Sequence, residues 1–154
     1  LQPIPGALPM AESAGTAQIV IGLDPGANTG VAYYVGGKLH SLQTIAPHQL
    51  REFIEGASRV IFEDSRLTSF VFTTVKSRPV ALSMARKVGQ VDAYCNLITA
   101  ICADLGIPAH GVSPKNKGAK LNAEQFALAT GWAGKSNQHE RDGALVAWKY
   151  RGAK

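Results

Sequence analysis

Asp24, Glu63 and Asp142 are acids placed where a folded chain has little reason to leave a charge unanswered. Asp24 closes the apolar run QIVIGLD at 18–24 just before Pro25-Gly26, Glu63 closes RVIFE at 59–63, and Asp142 follows His139 in HERDGA. Each has an ordinary structural explanation. An Asp before Pro-Gly opens a turn, a Glu after a buried strand pairs with a base, and His139 with Asp142 can form a solvated helix face. The joint pattern is more specific than any member. If the two strands are parallel neighbours, their carboxylates share one end of the sheet, while the helical spacing of His139 and Asp142 puts both on one face. Gathering carboxylates without cations costs repulsion and desolvation, and a divalent ion removes that cost. A set rich in carboxylate oxygen suits Mg²⁺ or Mn²⁺ rather than zinc. Asp64, beside Glu63, faces the opposite way and reads as a surface or turn residue.

The elements that must position these groups are legible in order. After the strand ending at Asp24, VAYYV at 31–35 and LHSLQTI at 39–45 flank Gly36-Gly37, the signature of a two-residue hairpin, so three antiparallel strands run in succession. PHQLREFIEG at 47–56 places Leu50, Phe53 and Ile54 on one side of a short helix. Residues 65–79 have no clean period and read as an irregular segment carrying Arg66, Phe70, Phe72, Lys76 and Arg78. From Val80 to Leu105 the apolar positions Met84, Val88, Val91, Cys95, Ile98, Cys102 and Leu105 alternate steps of four and three, predicting one long helix. Its seam is fit to pack on the sheet or on a second copy. A last strand is expected at 109–112, then the basic loop SPKNKGAK at 113–120. Asn122 and Gln125 have capping-box spacing for a helix ending at Gly131. A final helix is expected over His139–Tyr150, where Gly143 weakens the helix by about 1 kcal/mol relative to alanine and allows close approach of a strand.

The chain has 154 residues, enough for one domain with a real core. Sixteen Lys and Arg against eleven Asp and Glu leave a net charge of +5, which favours polyanionic partners. Cys95 and Cys102 fall inside the long helical pattern with no CxxC spacing, so they read as reduced core thiols suited to a cytosolic setting. No run of eighteen apolar residues and no secretory signal pattern occurs, so no membrane partner is expected and a cytoplasmic location is. Residues 1–17 are expected to be a flexible N-terminal leader, 1–9 an addition ahead of Met10, and 18–154 one domain. No internal repeat interrupts it.

The motifs IGLDPGANTG at 21–30, IFED at 61–64, KVGQ at 87–90 and HERDGA at 139–144, in this order of elements, resemble the RuvC family of Holliday-junction resolvases. The resemblance covers roughly residues 18–150. It implies an α/β, ribonuclease H-like fold: a mixed five-stranded sheet, three antiparallel strands then parallel ones, with helices on both faces. It also implies that Asp24, Glu63, His139 and Asp142 hold two Mg²⁺ or Mn²⁺ ions per active site and that phosphodiesters are hydrolysed by metal-activated water. His139 alternatively orients water or relays a proton. The implied partner is branched DNA, above all the four-way junction, nicked symmetrically by a homodimer whose candidate contact is Met84, Val88, Val91, Cys95, Ile98 and Cys102. Candidate DNA-binding residues are Arg66, Phe70, Phe72, Lys76, Arg78, Lys115, Lys117 and Lys120, the cations for phosphates and the phenylalanines for base stacking. Where the family carries an aromatic close behind the glutamate this chain has Arg66, and the basic loop matches loosely. The departure behind the glutamate suggests a divergent, phage-type branch, acting in a bacterial cell or a phage-infected host.

Three other readings compete. An actin-like sugar kinase or chaperone ATPase opens with a similar phosphate loop, imitated by Asp24, Gly26 and Gly30, but needs a second such loop and a much longer chain. A non-catalytic nucleic-acid-binding module would not need the acids. A nuclease acting on other branched or single-stranded DNA, or on RNA, would use the same metal chemistry.

Overall fold

The computed structural model describes residues 17–68, 77–116 and 118–152. Five strands form one mixed sheet: β1 (Ile19–Asp24), β2 (Thr29–Val35), β3 (Lys38–Ile45), β4 (Arg59–Glu63) and β5 (Ala109–Val112), in the spatial order β3-β2-β1-β4-β5. The first three are antiparallel, and β4 and β5 extend the sheet in parallel with β1. Gly36 and Gly37 make the hairpin between β2 and β3 with φ of 55° and 83°, the left-handed pair that such a turn requires. This is the architecture expected from the sequence.

Alternation along the strands sorts the core into two layers. Ile21, Leu23, Val31, Tyr33, Val60 and Phe62 face one side, against α1 (Leu50–Ile54) and α2 (Arg78–Leu105). Val20, Ala32, Tyr34 and Ile61 face the other, against α3 (Ala123–Thr130) and α4 (Gln138–Ala147). Helices therefore cover both faces. Helix limits differ from the periodicity at several places. Pro47–Gln49 form a 3-10 turn before α1, which ends at Ile54; α2 starts at Arg78 under a Ser77 cap, two residues ahead of the expected start; α4 starts at Gln138, and Trp148–Tyr150 leave it as another 3-10 turn. Asn122 and Gln125 make the capping box of α3 as read.

The seam of α2 divides in two. Cys95, Ile98 and Cys102 are buried in the chain's own core, with Val91 packed against it, so this half of the expected dimer contact is spent on the sheet. An apolar period reports a covered face without saying what covers it. Cys95 Sγ lies 3.6 Å from the carbonyl of Glu63, opposite the end of β4. At 1.5 Å per residue, the part of α2 ahead of Val91, where contact with this core begins, is an overhang about 20 Å long. Val80, Leu82 and Met84 are exposed on that overhang.

Candidate active site

Parallel pairing of β1 with β4 sets Leu23 beside Phe62, so Asp24 and Glu63 leave the sheet at the same end. Leu23 and Phe62 face α2, which turns the next residue of each strand toward α4. Both carboxylates therefore look to the face that α4 covers. The loop after β5 emerges at this end too, since Val112 pairs with Glu63, and it carries Lys115 and Lys120, both exposed.

α4 approaches this edge backbone to backbone. A Cβ on Gly22 would sit 2.2 Å from the carbonyl oxygen of Gly143, one on Gly30 would collide with the His139 carbonyl, and one on Gly143 would lie 2.8 Å from the Gly30 oxygen. Only glycine permits that spacing. Tyr34 adds a hydrogen bond from its hydroxyl to the Ala144 carbonyl at 2.6 Å. The N-terminus of α4 is fastened separately. Asn137 and Glu140 form a capping box, Asn137 Nδ2 donates to Thr44 Oγ1 at 2.7 Å, and Arg141 donates to the carbonyls of Leu121 and Ser136.

The result places His139 Nδ1 3.8 Å from Asp24 Oδ2 and buries Asp142 to 3% exposure. Gln138 Nε2 donates to Asp142 Oδ1 at 2.8 Å, and Lys120 Nζ stands 3.6 Å from Asp142 Oδ2. Among the described residues, no three His, Cys, Asp or Glu side chains converge closely enough to form a ready-made metal cage. The donor chemistry nevertheless fits a hard divalent cation: carboxylate oxygens from three elements and one imidazole at one sheet end. Lys120 already brings a positive charge to Asp142.

Asp64 is 4% exposed rather than a surface residue. Its carboxylate accepts from the backbone of Arg66 and from the Arg66 guanidinium at 2.8 Å through both oxygens. That guanidinium holds the Asp64 carboxyl below the usual carboxylate range. Arg66 also donates to Asn96 Oδ1 and Thr99 Oγ1, so the side chain expected to meet DNA ties the end of β4 to α2. Ser65 donates to Asp92 at 2.5 Å in the same junction. Arg78 is exposed on the overhang of α2, while Phe70, Phe72, Lys76 and Lys117 lie outside the described residues. Cys95 and Cys102 are buried and free, and burial pushes the Cys102 thiol up to about 11.

Sequence reasoning missed Gln138, Thr44 and the buried state of Asp64. Asn137 with Glu140 three residues on is a capping-box spacing that would have started the last helix at Gln138, one turn from Asp142. Nothing in the local sequence points to Thr44, which lies on β3 and meets α4 only through the fold.

No protein-family model matches the chain, and no curated protein matches it. Among solved structures, Thermus thermophilus RuvC in complex with a Holliday junction substrate superposes with a TM-score of 0.58 at 16% sequence identity. The match covers 85% of this chain and 90% of that one. The fold is therefore the ribonuclease H-like fold of that structure.

Proposed function

We propose that the protein is a metal-dependent, structure-specific DNA endonuclease that resolves four-way junctions by paired symmetric nicks. The observation that supports this reading best is the placement of four groups at one end of the sheet. Asp24 and Glu63 close parallel strands on the same face, and His139 and Asp142 stand above them on a helix docked through glycine. The structural neighbour was solved on a Holliday junction, which supports the choice of substrate.

In this proposal Asp24, Glu63, Asp142 and His139 would hold two Mg²⁺ or Mn²⁺ ions, and the chemistry supplied there would be activation of a water and stabilisation of the departing oxygen of the cut strand. Asp24 and Glu63 would present their donors from the ends of two paired strands. Gln138 fixes the orientation of the Asp142 carboxylate. The half-exposed His139 imidazole, beside Asp24, orients a water or accepts its proton. Lys115, Lys120 and Arg78 neutralise phosphates around the site. Arg66 acts as a positioning residue through Asp64. The second nick requires a second site, supplied by a second copy whose contact uses the exposed part of α2, with Met84 at its centre.

The test is a panel of four-way junction, flap, splayed arm, linear duplex and structured RNA, with Mg²⁺, with Mn²⁺ and with chelator. The junction should be cut into two nicked duplexes only when metal is present, and Asp24→Asn should bind it without cutting. Equal cleavage of linear duplex overturns the junction assignment. A fully active Asp24→Asn overturns the metal site, and binding without cleavage by the native protein leaves the non-catalytic module.

A further inference from the structure

At the end of the sheet opposite the carboxylates, a cleft of about 350 Å³ opens between the β2–β3 hairpin, the end of α3 and the turn after α4. Ile19 pairs with Val35 just before this hairpin, whereas Asp24 pairs with Gly30, so about 17 Å of strand separates the two sites. The cleft is lined by Lys38, Trp132, Trp148 and Arg151, and a second hollow continues from it past Lys149. Among the described residues, neither hollow has an acidic lining residue. Among the described residues, three cations therefore face this concavity with no anion beside them.

Its aromatic walls are held in place. The Arg151 guanidinium lies over the Trp148 ring at 3.6 Å from the centroid, and Trp148 packs at 6.1 Å against the buried Tyr34. Trp132 Nε1 donates to the Lys135 carbonyl at 3.0 Å, and a Cβ on Gly134 would press on the Trp132 ring at 3.1 Å. Rigid indoles offer planar, apolar area at low entropic cost, and a stacked guanidinium extends such a platform while keeping its charge. A flat ligand is favoured by the indoles and an anionic one by the cations.

We propose that this cleft is a binding site for a nucleobase carrying a phosphate, either a free nucleotide or one nucleotide of a single strand. Its volume sits at the small end of ligand pockets, about 300–1,000 Å³, which suits one nucleotide unit rather than a duplex. The base stacks on the indole and guanidinium surface, and Lys38, Arg151 and Lys149 take the phosphate. This site is independent of the nuclease reading, because it uses none of the acids and lies at the other end of the sheet.

The chain has two tryptophans and both line the cleft, so intrinsic fluorescence reports on this site directly. The experiment titrates the full chain in chelator with thymidine 5′-monophosphate, thymidine, inorganic phosphate and a four-nucleotide oligothymidylate. A saturable change is expected with the nucleotide and the oligonucleotide, with thymidine and phosphate at least tenfold weaker. Lys38→Ala and Arg151→Ala should each weaken it by about tenfold, the loss of one charge-assisted contact, with the thermal melt unchanged for Lys38→Ala. Tighter binding of the oligonucleotide assigns the site to a strand, and equal binding assigns it to free nucleotide. Absence of a saturable change overturns the proposal, as does equal response to thymidine or to phosphate alone, or indifference to both substitutions. Asp24→Asn should leave the titration unchanged, which separates this cleft from the nuclease site.

Discussion

At the scale of single residues, Asp64 and Arg66 do most to show how the site end is braced. A carboxylate at 4% exposure, gripped through both oxygens by a guanidinium that also reaches Asn96 and Thr99, joins β4 to α2 directly behind Glu63. Truncating Arg66 leaves that carboxylate buried without its cation, so Arg66→Ala should cost about 2 kcal/mol in urea unfolding. The carboxyl of Asp64 ionises more readily folded than unfolded, so its contribution is fully present above the unfolded value of about 3.9 and is lost as pH falls through the lower folded value. The gap between native protein and Arg66→Ala should therefore be constant at neutral pH and close in acid, below about pH 4. A gap that persists unchanged in strong acid would show that the ion pair is not its source. None of this was legible from Asp64 alone, since period-two alternation says which way a side chain points but not what meets it there.

At the scale of elements, the docking of α4 on β1 and β2 decides where His139 and Asp142 stand. Gly143 was legible as a glycine tolerated inside a helix for the sake of a close approach, and the structure supplies its partners, Gly22 and Gly30. Those two could not be read ahead, because their need for no side chain comes from a helix more than a hundred residues later. Gly22→Ala should cost about 2–3 kcal/mol, the upper part of the range for overpacking a close contact. Because the obstacle is the Gly143 carbonyl at 2.2 Å and not a flexible side chain, relief must come from lifting α4. Junction cleavage should then fall further than junction binding, measured on the same preparation; equal loss of both would show general unfolding instead. The seam on α2 taught the opposite lesson. Its spacing located the helix well, but the same spacing serves a sheet or a twin, and only burial separates the half on Cys95, Ile98 and Cys102 from the exposed overhang.

At the scale of the whole molecule, the net charge of +5 resolves into regions of opposite character. Acids gather at one sheet end with Lys115 and Lys120 in the loop beside them, and Lys38, Lys149 and Arg151 crowd the other end. In the proposed nuclease, paired nicking by a chain with one acid set would require two copies, so sedimentation equilibrium at assay concentration should give twice 16.3 kDa. Met84→Lys on the overhang should shift that mass toward the monomer, and a native monomer that still cuts both strands together would remove the need for a dimer. The order of the strands and the acids at their ends came through from sequence because both are local patterns, whereas the cleft between the tryptophans joins segments remote in the chain. The division of the site between β1 and α4 also bears on synthesis. A growing polypeptide releases Asp24, Glu63 and all five strands before His139 and Asp142, and folding proceeds from the N-terminal side. The ribosome thus carries a chain whose sheet can assemble while one acid of the three, Asp142, and His139 beside it are still unmade, so in the proposed nuclease the sheet stands before the site can close.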